Sequence, residues 1–117
     1  MGSGTYHAVN KQPILSSAAR TTSGQSNGHN VATYIEGRFL INVTAVSGTD
    51  PTLDCLAQFS WDNSTYYDTN ESATQITATG QYSIPVTNFG KYLRFDYTIG
   101  GTDTPTFTFT VDFIGKT

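Results

Sequence analysis

YLRFDYTIGGTDTPTFTFTVDFI runs from Tyr92 to Ile114. Before the glycine pair, Leu93, Phe95, Tyr97 and Ile99 fall on one parity and Tyr92, Arg94, Asp96 and Thr98 on the other. After it, Phe107, Phe109, Val111 and Phe113 alternate with Thr106, Thr108, Thr110 and Asp112. Successive side chains of an extended chain point to opposite faces, so this alternation predicts two strands with one apolar face and one wet face. Aromatic and β-branched residues suit such a pleated, half-buried surface. A slip of one residue would turn the Phe face to water, so the register is well specified.

The pattern recurs upstream. In RFLINVTAV (Arg38–Val46), Phe39, Ile41, Val43 and Ala45 share a face; in LDCLAQFSW (Leu53–Trp61), Leu53, Cys55, Ala57, Phe59 and Trp61 do. Between these strands stands SGTDPTL (Ser47–Leu53), the counterpart of GGTDTPTF (Gly100–Phe107). Each reads as a turn. Gly48 and Gly100-Gly101 supply positive φ, Asp50 and Asp103 accept local N–H groups, and Pro51 and Pro105 fix φ before the next strand. The expectation is two hairpins, 38–61 and 92–114, with Asp50 and Asp103 at their tips. If both tips lie at one end of the molecule, they form a polar rim able to touch a partner; at opposite ends they are turn residues only.

Tyr82, Ile84 and Val86 form a weaker set whose Pro85 places it at a sheet edge. Shorter strands are expected near Val31–Glu36, Tyr66–Asp68 and Thr74–Thr79. No segment has a helical period. One hairpin cannot bury its own apolar face, so a second sheet must cover it. The predicted fold is an all-β antiparallel two-sheet sandwich, jelly-roll-like or Ig-like, over residues 29–117. Residues 1–28 are rich in Ser, Thr, Gly, Asn and Gln and keep no period. They read as an extended N-terminal arm, either a disordered tail or a segment that orders against a partner through Ile14-Leu15 and Ala18-Ala19.

The chain has 117 residues, formal net charge −3 and 13% charged residues, against about a quarter in an average domain. Lys and Arg are scattered with no basic stripe, so nucleic acid lacks its electrostatic footprint. No apolar run approaches a membrane span. Cys55 is the single cysteine, which excludes an intrachain disulfide, and strand parity turns it inward as a small hydrophobe. The histidines, His7 and His29, stand beside no nucleophile motif. Nothing converges on an active site, so the chain reads as no enzyme, with no cofactor. The acidic stretch WDNSTYYDTNE (Trp61–Glu71) offers many oxygens, but EF-hand spacing and its turn glycine are absent, so it reads as a solvated loop and no metal is expected. Parity makes Trp61 a cap on the core. The other reading of Trp61, Tyr66 and Tyr67 is a platform for glycan, flat apolar rings beside hydrogen-bonding edges.

LSSAARTTSGQSN (Leu15–Asn27), FLINVTAVSGTDPTLDCLAQFSWDNSTYYD (Phe39–Asp68) and NFGKYLRFDYTIGGTDTPTFTFTVDFIGK (Asn88–Lys116) together resemble small virion proteins of tailed bacteriophages, most of all head decoration, or cement, proteins. The likeness covers most of the chain after residue 14 and rests on turns and strand faces. It implies a compact β-sandwich, made in the host cytoplasm, that binds the major capsid protein on the outer surface of the head, often as a trimer. It further implies that the arm, through Ile14, Leu15 and Arg20, contacts the shell or a neighbouring protomer. The alternative is a tail or surface adhesion module that binds glycan through Trp61, Tyr66 and Tyr67.

Overall fold

A computed structural model describes residues 8–87 and 89–117, so His7 and Asn88 lie outside the described residues. The chain is all-β, with strands β1 (Val9–Arg20), β2 (Gly24–Gln25), β3 (His29–Asn30), β4 (Glu36–Ser60), β5 (Tyr67–Ser72), β6 (Gly80–Val86) and β7 (Tyr92–Lys116). Every pairing is antiparallel.

The expected hairpins do not form. Val46 pairs with Phe107 and Leu53 with Ile99, so β4 lies against β7 from Glu36↔Lys116 to Ser60↔Tyr92 in one long ribbon. Period-two patterning placed most of each apolar face correctly, Ala45 and Trp61 excepted, but carried no information on partners, and a Gly-Thr-Asp-Pro turn looks the same whether it closes a hairpin or bends a strand. Here it bends. SGTDPTL and GGTDTPTF lie opposite each other, with Thr49 paired to Thr102 and shifts of register on both sides. Gly48 (φ 106°), Asp50 (50°), Gly101 (121°), Asp103 (59°) and Thr104 (53°) are all left-handed. The two bends interlock. A Cβ on Gly48 would stand 2.7 Å from Cα of Pro105, and one on Gly101 would stand 2.9 Å from the Asp50 carbonyl oxygen. The Thr49 hydroxyl donates to the Asp103 carboxylate across the bend.

A flat strand of this length would span roughly 80 Å at about 3.3 Å per residue, yet the longest dimension of the protein is 57 Å. The ribbon therefore folds over at the bends and packs its halves face to face. Phe39, on the half paired at Phe113, meets Phe95, on the half paired at Ala57, at 5.3 Å between ring centroids; Tyr97 meets Phe109 at 5.4 Å. The flanking chain follows the same path. β1, then β2 and β3, pair along β7, while β5 and β6 pair along β4. Four runs, 9–30, 36–60, 67–86 and 92–116, thus lie side by side in the order first, fourth, second, third, and all fold across the middle. That is a jelly roll, with two layers of a rolled sheet, and it decides between the two sandwich forms expected.

The core between the layers holds Phe39, Ile41, Val43, Leu53, Leu93, Phe95, Phe107, Phe109, Val111 and Phe113, all buried. Burying each contributes about 1.5–3 kcal/mol. Ala45, expected inward, is exposed. Thr44 is an extra residue between Val43↔Phe109 and Ala45↔Thr108, and this bulge hands the inward position to Val46. Residues 31–35 are no strand, and 74–79 holds only the bridge of Ile76 to Leu53. Pro85 sits on the edge strand β6, as expected.

From Val9 onward the arm is extended, as its composition implied, and it is ordered by its own chain. Val9–Arg20 is the edge strand beside β7, and Ile14 and Leu15 pack against the core. The isolated segment offered too little apolar surface to show this; β7 supplies the missing face and backbone partners. Ser26 and His29, on either side of residue 28, both bond to β7.

Candidate functional site

The jelly roll has two unlike ends. One is the fold line, where the chain bends at Ser47, Thr49, Asp50, Thr102, Asp103 and Thr104, all exposed and polar. Asp50 and Asp103 therefore lie together at one end, at paired bends and not at hairpin tips. The other, the open end, carries the connections 31–35 and 61–66 and residues 89–91. Among the described residues, the exposed large apolar side chains are Val9, Ile35, Trp61 and Tyr67, and the ladder positions place each at this open end. Val9 and Glu36 both pair with Lys116, Ser60 pairs with Tyr92, and Tyr67 pairs with Phe59.

Trp61 is 78% exposed, against the expectation that it caps the core. Strand parity breaks one residue earlier, where Ser60 is fully buried. Its hydroxyl donates to Asp62 Oδ1 (3.1 Å) and accepts the N–H groups of Asp62 (3.2 Å) and Asn63 (2.9 Å). Asp62 Oδ1 also accepts from the N–H groups of Ser64 and Thr65, each at 3.0 Å. These bonds hold the Asp62 carboxyl below its usual range, the Thr65 N–H first and the Ser64 N–H next. A buried serine satisfied by the loop that follows it thus turns Trp61 outward.

The other aromatic candidates part company. Tyr66 lies beneath the Arg94 guanidinium, 4.1 Å from ring centroid to Cζ, and its hydroxyl donates to Asn63. Arg94 Nε in turn donates to Gln58 (2.7 Å), whose amide donates to Asp68 (2.8 Å). Tyr67 is 59% exposed and leans on Phe59 at 5.8 Å. Tyr66 and Tyr67 thus have different ring partners, Arg94 and Phe59.

Trp61 instead belongs to a groove of about 460 Å³ whose walls are Val31, Tyr34, Phe89 and Lys91. Its frame is fixed by backbone bonds. The Val31 N–H donates to the Lys91 carbonyl (2.9 Å), the Tyr34 N–H to the Val31 carbonyl (3.0 Å), and the Ile35 N–H to the Lys116 carbonyl (2.8 Å). The Tyr34 and Phe89 rings rest on Phe113 in the core at 5.8 and 6.4 Å. Gly115 lets Tyr34 lie flat, since a Cβ there would come within 2.5 Å of the ring. The sequence reading missed Tyr34, Ile35 and Phe89. Their signal was apolar bulk in connections, where no alternating strand exists to bury it.

The arm residues are used internally. Arg20 Nη1 donates to the Phe109 and Ala18 carbonyls (2.8 and 3.1 Å), Nη2 donates to the Ser16 carbonyl (2.9 Å), and the guanidinium covers the Phe109 ring at 4.6 Å. Ile14, Leu15 and Arg20 thus anchor β1 to its own sheet, where they were expected to reach a partner. His29 Nδ1 accepts from the Gln12 amide at 3.2 Å, and burial lowers its pKa. Cys55 is buried, its pKa pushed up to about 12 first by burial and then by the charges of Asp54 and Asp96. The oxygens of the acidic stretch are taken up locally: Asp62 by its turn, Asp68 by Gln58, and Glu71 by the N–H and hydroxyl of Thr87. Among the described residues, no group of three or more His, Cys, Asp or Glu side chains gathers at metal-binding distance.

No family model and no curated protein matches the sequence. Among solved structures, the chain is similar to the SPBc2 prophage-derived protein YomS, with 14% identity, all of both chains covered and a TM-score of 0.61. It is also similar to a chain in the structure of infectious bursal disease virus Gx strain, with 10% identity, 96% of this chain and 32% of that one covered, and a TM-score of 0.55. At such identities the likeness is one of fold.

Proposed function

We propose that the chain is a structural protein of a tailed-phage virion, a decoration or cement protein that binds the major capsid protein on the outside of the assembled head and stabilises the shell. The observation that carries this reading is the division of its surface. Exposed large apolar groups gather at the open end and the fold line is polar, as suits a rigid module that sits on a support by one end. An exposed cluster of this kind marks an interaction surface more often than chance solvent exposure. The fold shared end to end with a prophage-derived protein, and the partial fold likeness to a chain of a virus structure, support the same reading. The chain acts here without catalysis, and a trimer would multiply modest contacts by avidity. Residues 9–20 are built into the sheet, which supports reading the open end as the surface that meets the shell. The test is addition of the purified protein to decoration-free heads of the phage that encodes it, with bound copies counted after sedimentation. Saturable binding and greater resistance of the heads to heat are expected; no binding would refute the reading.

A second reading, an adhesion module for glycan, draws on the exposed Trp61 and Tyr67 rings. A glycan array and calorimetry test it, with specific millimolar or tighter binding as its expected result.

A further inference from the structure

We infer that the groove between Trp61 and Lys91 is the point of attachment, and that it takes an apolar side chain flanked by a carboxylate on a surface loop of the shell protein. This rests on the decoration reading and gives it a place and a chemistry. The first argument is shape. The groove holds about 460 Å³, room for one or two side chains, and its walls are preformed by the backbone bonds of residues 31–35 and by the support of Phe113. A preformed pocket spares a partner the ordering cost that weakens flexible sites. Trp61 offers the large, rigid apolar area typical of residues that dominate binding energy.

The second argument is composition. Val31, Ala32, Tyr34, Trp61, Phe89 and Gly90 face the groove, and Lys91 is its single charged group. A saccharide brings many hydroxyls, each needing a partner when desolvated. These walls supply few such partners, so an apolar side chain fits better than a sugar ring.

The third argument is charge. Lys116 is engaged by Glu36 at 3.3 Å and Lys11 faces Asp112 at 3.9 Å, but among the described residues no carboxylate lies within ion-pair distance of Lys91. Its ammonium rests 5.7 Å from the Tyr92 ring. A carboxylate beside the inserted side chain would complete this pair. At the fold line, among the described residues, Asp50 and Asp103 have no cation within ion-pair distance, and Arg20 is turned onto the Phe109 ring and backbone carbonyls. Lys91 thus offers an incoming carboxylate a cation beside the groove, while Asp62, next to Trp61, is already held by the Ser64 and Thr65 N–H groups.

The experiment compares wild type with Trp61→Ala, Lys91→Glu and, at the opposite end, Asp50→Asn, each added to decoration-free heads and counted by sedimentation. Trp61 and Lys91 are exposed, so circular dichroism and melting should match wild type. The inference expects at least a tenfold weaker affinity for Trp61→Ala and for Lys91→Glu, unchanged affinity for Asp50→Asn, and wild-type binding that weakens as salt rises. If wild type binds and both open-end variants bind equally well, the inference falls and the decoration reading stands. If Trp61→Ala loses a saccharide in the array but keeps its affinity for heads, the groove is a sugar site and the inference falls. If wild type itself fails to bind heads, both fall together.

Discussion

Arg20 shows how one side chain can fix a strand that has little apolar surface of its own. Three carbonyl bonds and the face of Phe109 hold it, across the stretch where β1 shifts register between Leu15 and Ala18. Arg20→Ala should lower unfolding free energy by about 2 kcal/mol in urea titration, because charged donors and a stacked cation are lost together. Arg20→Lys should recover less than half, since an ammonium lacks the planar fork. Cys55 makes a separate prediction. Its pKa, ordinarily 9.0, rises to about 12 in the fold, so the folded state keeps a proton that the unfolded state releases. Its contribution is present in full below pH 9 and is lost as pH climbs towards 12. Wild type should therefore lose melting temperature over that window faster than Cys55→Ala. The native thiol should react with a disulfide reagent at pH 8 only as fast as the protein opens; rapid labelling of folded protein would contradict the burial.

At the scale of elements, the bends matter most. Thr104 is a β-branched residue at φ 53°, a conformation that costs roughly 1–2 kcal/mol for an ordinary L-residue and much less for Asn. Thr104→Asn should raise stability by up to about 1 kcal/mol in urea titration, unless the bond from the Thr106 hydroxyl to the Thr104 carbonyl (3.0 Å) is disturbed. The faces of these strands were legible in advance. Phe39, Ile41, Val43, Phe95, Phe107, Phe109, Val111 and Phe113 were placed inward by alternation, and they are buried. Pairing was not legible, because parity is local and partner choice is set by the whole roll. The contacts of Arg20 and Ile14 within the chain were not legible for the same reason: β7, which they meet, is far away in sequence. Trp61 failed at a single residue. Ser60 is buried where alternation put an outward residue, which throws Trp61 outward, and the hydrogen bonds of the following loop explain it.

The whole molecule is a rolled sheet with an acidic, polar fold line and an aromatic open end. Decoration was read from sequence resemblance; the surface that would perform it became visible only when the fold brought Val31, Tyr34, Trp61, Phe89 and Lys91 together. Orientation on a particle is the property that joins fold to function. The most direct measurement is electron cryo-microscopy of decoration-free heads incubated with the wild-type protein. The account predicts ordered density on the outer surface of the shell, with the open end and Trp61 against the capsid subunits and Asp50 and Asp103 facing solvent. Heads that stay bare, or density that seats the fold line on the shell, would contradict it.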